Sequence, residues 1–481
     1  MNNPSPMAFL PELVLLLGSL ALFAVTLGDS KNRLARMVAM ATAAGTLLAC
    51  IAAFNATGTL FSGAYRIDAF SQIVKLITSA GLLLVLGLSR DLPDIRTEIK
   101  PEYYLFTILS TLGLLMLASS IDLITLVISL ELSSFPLYFL VPMRREREGQ
   151  RVQMESAIKY IMYGVAANGL MLFGMSYLYG LGGSTFLPVL LAKLQPVINS
   201  PLAVAGIALS LCGFYYKLAV FPFHFWTPDV YQGASNETAG LIASLPKVAA
   251  VATMARIASL VPAESAAVAT LFTVLAVASM FYGNLIALVQ TDLKRLLGFS
   301  GIAHAGYAMV GFAALGSAGY ASAIYYITGY LFMITACFVV ISLVSKDGVN
   351  VGIEELAGMH RRSPLLALTL GTGVFALAGI PPFVGFMGKL GLLSAALAKG
   401  HLALVILAVI NSAIAVYYYL GVVRQLYFRD PQPQSETPIP LTIGSRALCI
   451  VLLVCIVGLG VFPARVLDFL AGALSCLSYP A

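Results

Sequence analysis

YYKLAVFPFHFWTPD (215–229) and LAGIPPFVGFMGK (377–389) decide how this chain is read. Each interrupts a long apolar stretch with prolines, Pro222 and Pro228 in the first and Pro381 and Pro382 in the second. Proline removes a helix donor and clashes with the preceding turn. Each also carries a lysine, Lys217 before its break and Lys389 after it. At membrane depth a broken helix survives only where protein or water satisfies the freed backbone.

Composition puts both stretches at that depth. Of 481 residues, 59% are hydrophobic and only 10% are charged, and the mean hydropathy is +0.91. Soluble domains carry roughly 25% charged residues. A string of soluble domains is therefore excluded, and lipid is the solvent for most of the chain. The net charge of +6 does not argue for a nucleic-acid partner, because most basic residues lie between apolar runs.

At roughly 34 residues per span and connection, the length allows about fourteen transmembrane helices. Apolar runs give 9–27, 36–54, 69–88, 103–120, 122–141, 156–180, 202–231, 238–260, 266–290, 297–315, 320–344, 364–398, 401–427 and 445–462. The expected fold is an all-α polytopic membrane protein. The longest polar connection is RDPQPQSETPIP (429–440). The start, MNNPSPMAFLPELVLLL, lacks a basic region and reads as the first span rather than a cleaved signal. GLGGS (180–184) reads as a turn after a helix. Cys50, Cys212, Cys337, Cys449, Cys455 and Cys476 show no metal-ligand spacing and read as packing residues. No metal or cofactor site is expected in this chain.

With the N-terminus outside, eighteen basic residues fall in inside connections, among them Lys31, Arg144, Arg147, Lys294 and Arg295. Five fall outside: Arg66, Lys193, Arg256, Lys399 and Arg465. The positive-inside rule then places both termini outside. The five left over are Lys75, Lys159, Lys217, Lys247 and Lys389, all lysines within spans. Burial can switch off a lysine's charge, whereas arginine stays charged. Each central charge costs roughly 2.5–3.5 kcal/mol on insertion scales.

Among the acids, Glu131 is mid-span in LITLVISLELSSFPLYFLV (123–141), Glu12 and Asp68 are near span ends, and Asp229 follows the first break. His304 lies within the tenth span and His224 beside Pro222; Asn168, Asn284 and Asn411 add neutral polar groups. Lys75 reads as snorkelling or pairing with a neighbouring subunit, and Lys159 as snorkelling or lining a channel entrance. Lys217, Lys247 and Glu131 are too deep for that reading, the bland alternative for Glu131 being a buried ion pair, and Lys389 directly follows the second break. His304 titrates near neutral pH when exposed. Lysine, glutamate and histidine linked by water can hand protons along, with occupancy set by burial and neighbouring charge.

Spans four to eight and nine to thirteen each hold five helices, with the interrupted helix fourth in each, the seventh and twelfth overall. An odd number of crossings requires the second unit to be inverted, and paired interrupted helices mark ion sites in inverted-repeat transporters. The expected organisation is three helices in 1–102, one repeat in 103–260, an inverted repeat in 266–427, and a loop, last span and tail in 428–481.

ELSSFPLYFLV (131–141), KLAVFPFHFWTPDVYQGA (217–234), LPKVAA (245–250), GNLIALVQTDLKRLLGFSGIAHAGYAMVG (283–311) and LAGIPPFVGFMGKLGLLSAAL (377–397) occur in that order. Along nearly its whole length the chain resembles the antiporter-like membrane subunits of bacterial respiratory complex I, the NADH–quinone oxidoreductase. The resemblance implies proton translocation driven by quinone reduction elsewhere, in the bacterial inner membrane. It implies partners among the other membrane subunits, including further antiporter-like ones, and puts NADH, FMN (flavin), iron–sulfur and quinone chemistry in partner subunits. It assigns Glu131 and Lys217 to the family's glutamate–lysine pair and Lys247 to its central lysine. His304 and Lys389 fall to the exit side, Lys159 to a further lysine near the first half-channel, and His224 and Asp229 to a secondary relay or gate. One departure is QGASNETAG (232–240), where relatives carry an acid before the glycine and a proline soon after. Glu237 either replaces that charge or is an unrelated loop residue. Two rival functions keep the same fold: a subunit of a multi-subunit cation/proton antiporter, and a non-conducting structural subunit.

Overall fold

In a computed structural model, residues 6–28, 32–147, 151–430 and 438–475 are described. Lys31, Cys476 and most of the 429–440 connection lie outside them. The chain runs α1 (Leu10–Thr26), α2 (Asn32–Ala52), a small hairpin of β1 (Gly58–Leu60) and β2 (Tyr65–Ile67), then α3 (Ala69–Leu88), α4 (Lys100–Ser119) and α5 (Leu123–Leu140). It continues with α6 (Val152–Gly182), α7 (Leu187–Leu194), α8 (Pro201–Ser210), α9 (Cys212–Leu218), α10 (Trp226–Gly233) and α11 (Asn236–Ala258). The second half is α12 (Ala266–Ala287), α13 (Leu293–Ala313), α14 (Ser317–Val344), α15 (Met359–Arg362), α16 (Pro364–Ala378), α17 (Val384–Ala398), α18 (Leu402–Phe428), α19 (Ile443–Val461) and α20 (Pro463–Ser475).

Among the described residues thirteen helices are long and apolar enough to cross a membrane, and the two shorter apolar helices α16 and α17 flank the second break. Together they account for the fourteen expected spans. Short polar side chains start the helices: Asp68, Asp122, Ser200, Ser235, Asp292 and Thr442 each accept a hydrogen bond from a backbone amide of the first turn. Gly183, left-handed at φ +62°, ends α6, so GLGGS is a turn.

Both predicted breaks are present. The first separates α9 from α10 through irregular turns at 219–225, with Ala219 left-handed at φ +69°. The second separates α16 from α17 at 379–383, with Gly379 in the same region at φ +86°. The peptide bonds Phe221–Pro222 and Pro381–Pro382 are cis.

Three features differ from expectation. The β1–β2 hairpin, pairing Gly58 with Ile67 and Leu60 with Tyr65, was not expected, because three-residue strands leave no periodic signal. The connection after α6 contains α7, and the tail contains α20. Both are too short to register as spans. The innermost helices are α11 and α13, enclosed on all sides, with α14 nearly so, whereas α18 and α19 present most of their surface outward. The centre of the molecule is thus where α11, α13 and α14 meet.

Candidate functional site

The first lysine stands at the end of a half-helix. Lys217 occupies the last turn of α9, where unpaired carbonyls favour a cation. Its ammonium donates to the hydroxyls of Ser133 and, at 2.7 Å, Ser134, both on α5. Glu131 lies on the same helix but does not form a direct ion pair with it. The glutamate is half-buried, and one carboxylate oxygen accepts from the Asn168 side-chain amide of α6. The family resemblance implied that these two form a pair. The structure puts them within electrostatic reach of each other, with serines interposed as the direct partners of the ammonium.

Lys247 follows Pro246 on α11 and is 1% exposed. Its ammonium donates to the Gly301 carbonyl of α13 at 3.2 Å and stands 4.9 Å from the Tyr330 ring centroid of α14. Gly301 leaves little room for a side chain. A Cβ there would meet the Tyr330 hydroxyl at 3.0 Å, the ammonium at 3.2 Å and the Tyr231 hydroxyl at 3.9 Å. Two phenols and an ammonium therefore converge on one point at the centre of the fold.

From that point polar and aromatic groups run on without interruption. The Tyr330 ring is 5.1 Å from the His304 ring. His304 Nδ1 is 2.6 Å from the Tyr326 hydroxyl and Nε2 is 3.1 Å from the Tyr419 hydroxyl. The Tyr326 ring is 6.3 Å from the Tyr307 ring, over which the Lys389 ammonium stands at 4.6 Å. Lys389 lies on α17, yet it reaches back to donate to the carbonyls of Ala378 at 2.9 Å and Leu377 at 3.3 Å, at the end of α16. The mismatch read in the sequence is thereby resolved in space. Lys217 belongs to the carbonyl end of its first half-helix, and Lys389 folds back onto the same end of its own.

Tyr216, Trp226 and Tyr231 connect the Lys217 region with the centre. The Tyr216 and Trp226 rings are 5.3 Å apart, and Trp226 is 6.4 Å from Tyr231. His224 is fully buried among Tyr282, Phe225 and Phe221 at 4.1, 4.3 and 5.3 Å between ring centroids. Among the described residues neither of its ring nitrogens has a hydrogen-bond partner. Lys159 pairs with Glu155 at 2.6 Å and with Asp229 at 2.7 Å, and Arg295 meets the other Asp229 oxygen at 2.8 Å. Lys159 and Asp229 are therefore parts of one ionic cluster.

The family described as NADH:quinone oxidoreductase/Mrp antiporter, TM, matches residues 120–415. A protein of Opitutus terrae named NADH-quinone oxidoreductase subunit N 2 is 65% identical, with 98% of each chain covered. The chain belongs to this family, in its subunit N branch. Among solved structures of antiporter-like chains, one from Thermus thermophilus respiratory complex I is 31% identical with a TM-score of 0.81, covering 95% of this chain and 98% of that one. A chain of the Mrp complex from Dietzia sp. DQ12-45-1b superposes with a TM-score of 0.86 at 21% identity, covering 99% of this chain and 98% of that one. That second likeness shows a shared fold.

Within this antiporter-like fold, several charges sit differently from where the sequence placed them. Lys75 neither snorkels nor awaits a neighbouring subunit: it pairs with Glu12 of α1 at 2.6 Å, both side chains 0% exposed. Tyr65 donates to the same carboxylate at 2.5 Å. Arg256, read as an outside charge, is buried in a bidentate pair with Asp68 at 2.8 and 3.1 Å. Lys294, read as an inside loop charge, is fully buried in the first turn of α13. Glu237 is no loop residue: it lies buried in the first turn of α11.

Sequence reading missed the tyrosines. Tyr326 and Tyr330 stand four residues apart on α14, hence on one helix face. A phenol at mid-span needs a polar partner when buried, and that signal was available.

Proposed function

We propose that this chain is a proton-translocating membrane subunit of a bacterial NADH–quinone oxidoreductase, working beside other antiporter-like membrane subunits. Flavin, iron–sulfur and quinone chemistry belong to partner subunits. The observation that carries the reading is the buried line from Lys247 through Tyr330, His304, Tyr326 and Tyr307 to Lys389. Removing so many polar groups from water costs free energy that packing does not return. A path for protons does require them.

In this mechanism Glu131 sets the proton affinity of Lys217 by charge. Lys217 releases its proton toward Lys247, and His304 and Lys389 pass it outward. The ammonium of Lys217 rests on hydroxyls, and those of Lys247 and Lys389 rest on carbonyls. Neither kind of partner holds a proton as a carboxylate salt bridge would. Lys159, Asp229 and Arg295 line the inside approach as a secondary gate, and His224 stands behind them. The chain occupies the inner membrane with both termini outside, as an N-terminal unit of three helices, two inverted five-helix repeats and a last span.

In the intact complex reconstituted in vesicles, Lys217→Ala, Glu131→Ala and Lys247→Met each lower the number of protons moved per electron. Unchanged ratios and turnover in all three would overturn the role and leave the structural-subunit reading. Flavin and iron–sulfur absorbance in the purified native assembly separates this reading from a cation/proton antiporter, which lacks both.

A further inference from the structure

The proposed relay does not use the inside end of α11, yet polar groups are buried there without partners. Glu237 is 2% exposed. Its Oε1 accepts from the Ser342 hydroxyl of α14 at 2.8 Å, and its Oε2 has no hydrogen-bond partner among the described residues. The neighbouring Asn236 is fully buried, and neither its side-chain oxygen nor its nitrogen has one. Lys294, also fully buried, donates to the Ala234 carbonyl at 2.8 Å and lies within electrostatic reach of Glu237. Buried groups of this kind are ordinarily satisfied by enclosed water.

A cavity of ≈ 300 Å³ lies near the site without touching Glu237, Asn236 or Lys294: it is lined by Arg144, Gln153, Gln232, Gly233 and Asn350, and Gly233 adjoins Ala234, whose carbonyl holds Lys294. Asp94 fixes this mouth by pairing with Arg144 at 2.5 Å and Arg147 at 2.8 Å. Inward, Ser244 and Lys247 follow on α11, seven and ten residues after Glu237. Seven residues are about two turns, so Ser244 shares the face of Glu237, and ten residues span about 15 Å. Water can bridge that length only along polar groups, which Ser244 and the Tyr231 hydroxyl supply. Phe338, packed against both Gly240 and Tyr231, narrows the way.

We propose that Glu237 is an inside-facing proton acceptor that loads Lys247 directly, by a route separate from Lys217. The carboxylate takes a proton that comes from the inside medium along water entering by the Arg144 mouth. Each water breaks one O–H bond as it gains another, so no hydroxide is left behind. The Glu237 O–H bond then breaks as enclosed water carries the proton to the Lys247 amine, where an N–H bond forms. The charged and titratable groups within electrostatic reach of the carboxylate are Lys294 on α13, Asp94 before α4, and Lys100, Tyr103 and Tyr104 on α4. Lys294 steadies the ionised form, and a proton on Glu237 frees that interaction. The first turn of α11 adds the positive end of the helix dipole.

The inference rests on the proposed function, and the test keeps the two apart. Glu237→Gln keeps the shape and the acceptor for Ser342 but cannot take a proton; Glu237→Asp keeps the acid. In the intact complex in vesicles, the glutamine variant moves fewer protons per electron, approaching Lys247→Met, and the aspartate variant recovers part of the loss. A glutamine variant with the wild-type ratio, beside a Lys247→Met variant with a lowered one, overturns the Glu237 route alone. Unchanged ratios in both overturn the proposed function itself. If the glutamine variant does not assemble, Ser244→Ala decides: it removes the hydroxyl on which the water route depends, and a wild-type ratio in that variant overturns the route.

Discussion

The Glu12–Lys75 pair shows what a single buried residue asks of its surroundings. Both side chains are 0% exposed, and Tyr65 donates to the same carboxylate oxygen that meets the ammonium. Breaking such a pair from one side strands a charge, which costs about 3–5 kcal/mol, whereas removing both charges is close to neutral. Lys75→Met alone should therefore lower the thermal midpoint of the purified complex and reduce assembly on native gels. Lys75→Met combined with Glu12→Gln should restore most of both. Equal destabilisation by the single and double variants would show that packing, and not the pair, holds α1 to α3. The sequence exposed Lys75 as a stranded charge, but its partner lies 63 positions away, a separation that no local pattern spans.

At the scale of elements the two broken helices set the site. Proline content predicted both breaks, and the structure adds how tightly their halves are wedged. A Cβ on Gly385 of α17 would lie 1.8 Å from the Ala376 carbonyl oxygen of α16. No side chain can give way there, because the obstacle is backbone. Gly385→Ala should push α17 off α16 and draw Lys389 away from the carbonyls of Leu377 and Ala378. Overpacking of this kind costs about 1–3 kcal/mol. The measurable result is reduced assembly and fewer protons per electron. Gly169→Ala on α6, where a Cβ meets nothing within 4 Å, should match wild type in both assays. The left-handed residues that end the first halves differ: Gly379 accepts that conformation freely, and Ala219 bears a cost of roughly 1–2 kcal/mol.

At the scale of the whole molecule, the division of charge sets orientation. The excess of basic residues in alternate connections is the ground for proposing that both termini lie outside. A short tag at either end should be cleaved by protease added to intact spheroplasts, while a tag between Arg429 and Ile439 should be cleaved only after lysis. The opposite pattern would invert the path, with the Arg144 mouth then facing out.

Hydropathy and proline placement by themselves determined the number of spans, the two interruptions and four buried lysines, Lys75, Lys217, Lys247 and Lys389, but not Lys294. These are local properties: the free energy of moving a segment into lipid depends on the segment alone. Only the tertiary structure decided which stranded charge meets which partner. It paired Lys75 with Glu12 and Arg256 with Asp68, rested Lys217 on serines instead of on Glu131, and joined Glu237 to Ser342 and Lys294 to the Ala234 carbonyl. It also gathered Tyr307, Tyr326, Tyr330 and Tyr419 around His304 from three helices. A buried polar group must find a partner wherever the fold supplies one, so its role is settled by packing between segments far apart in the chain.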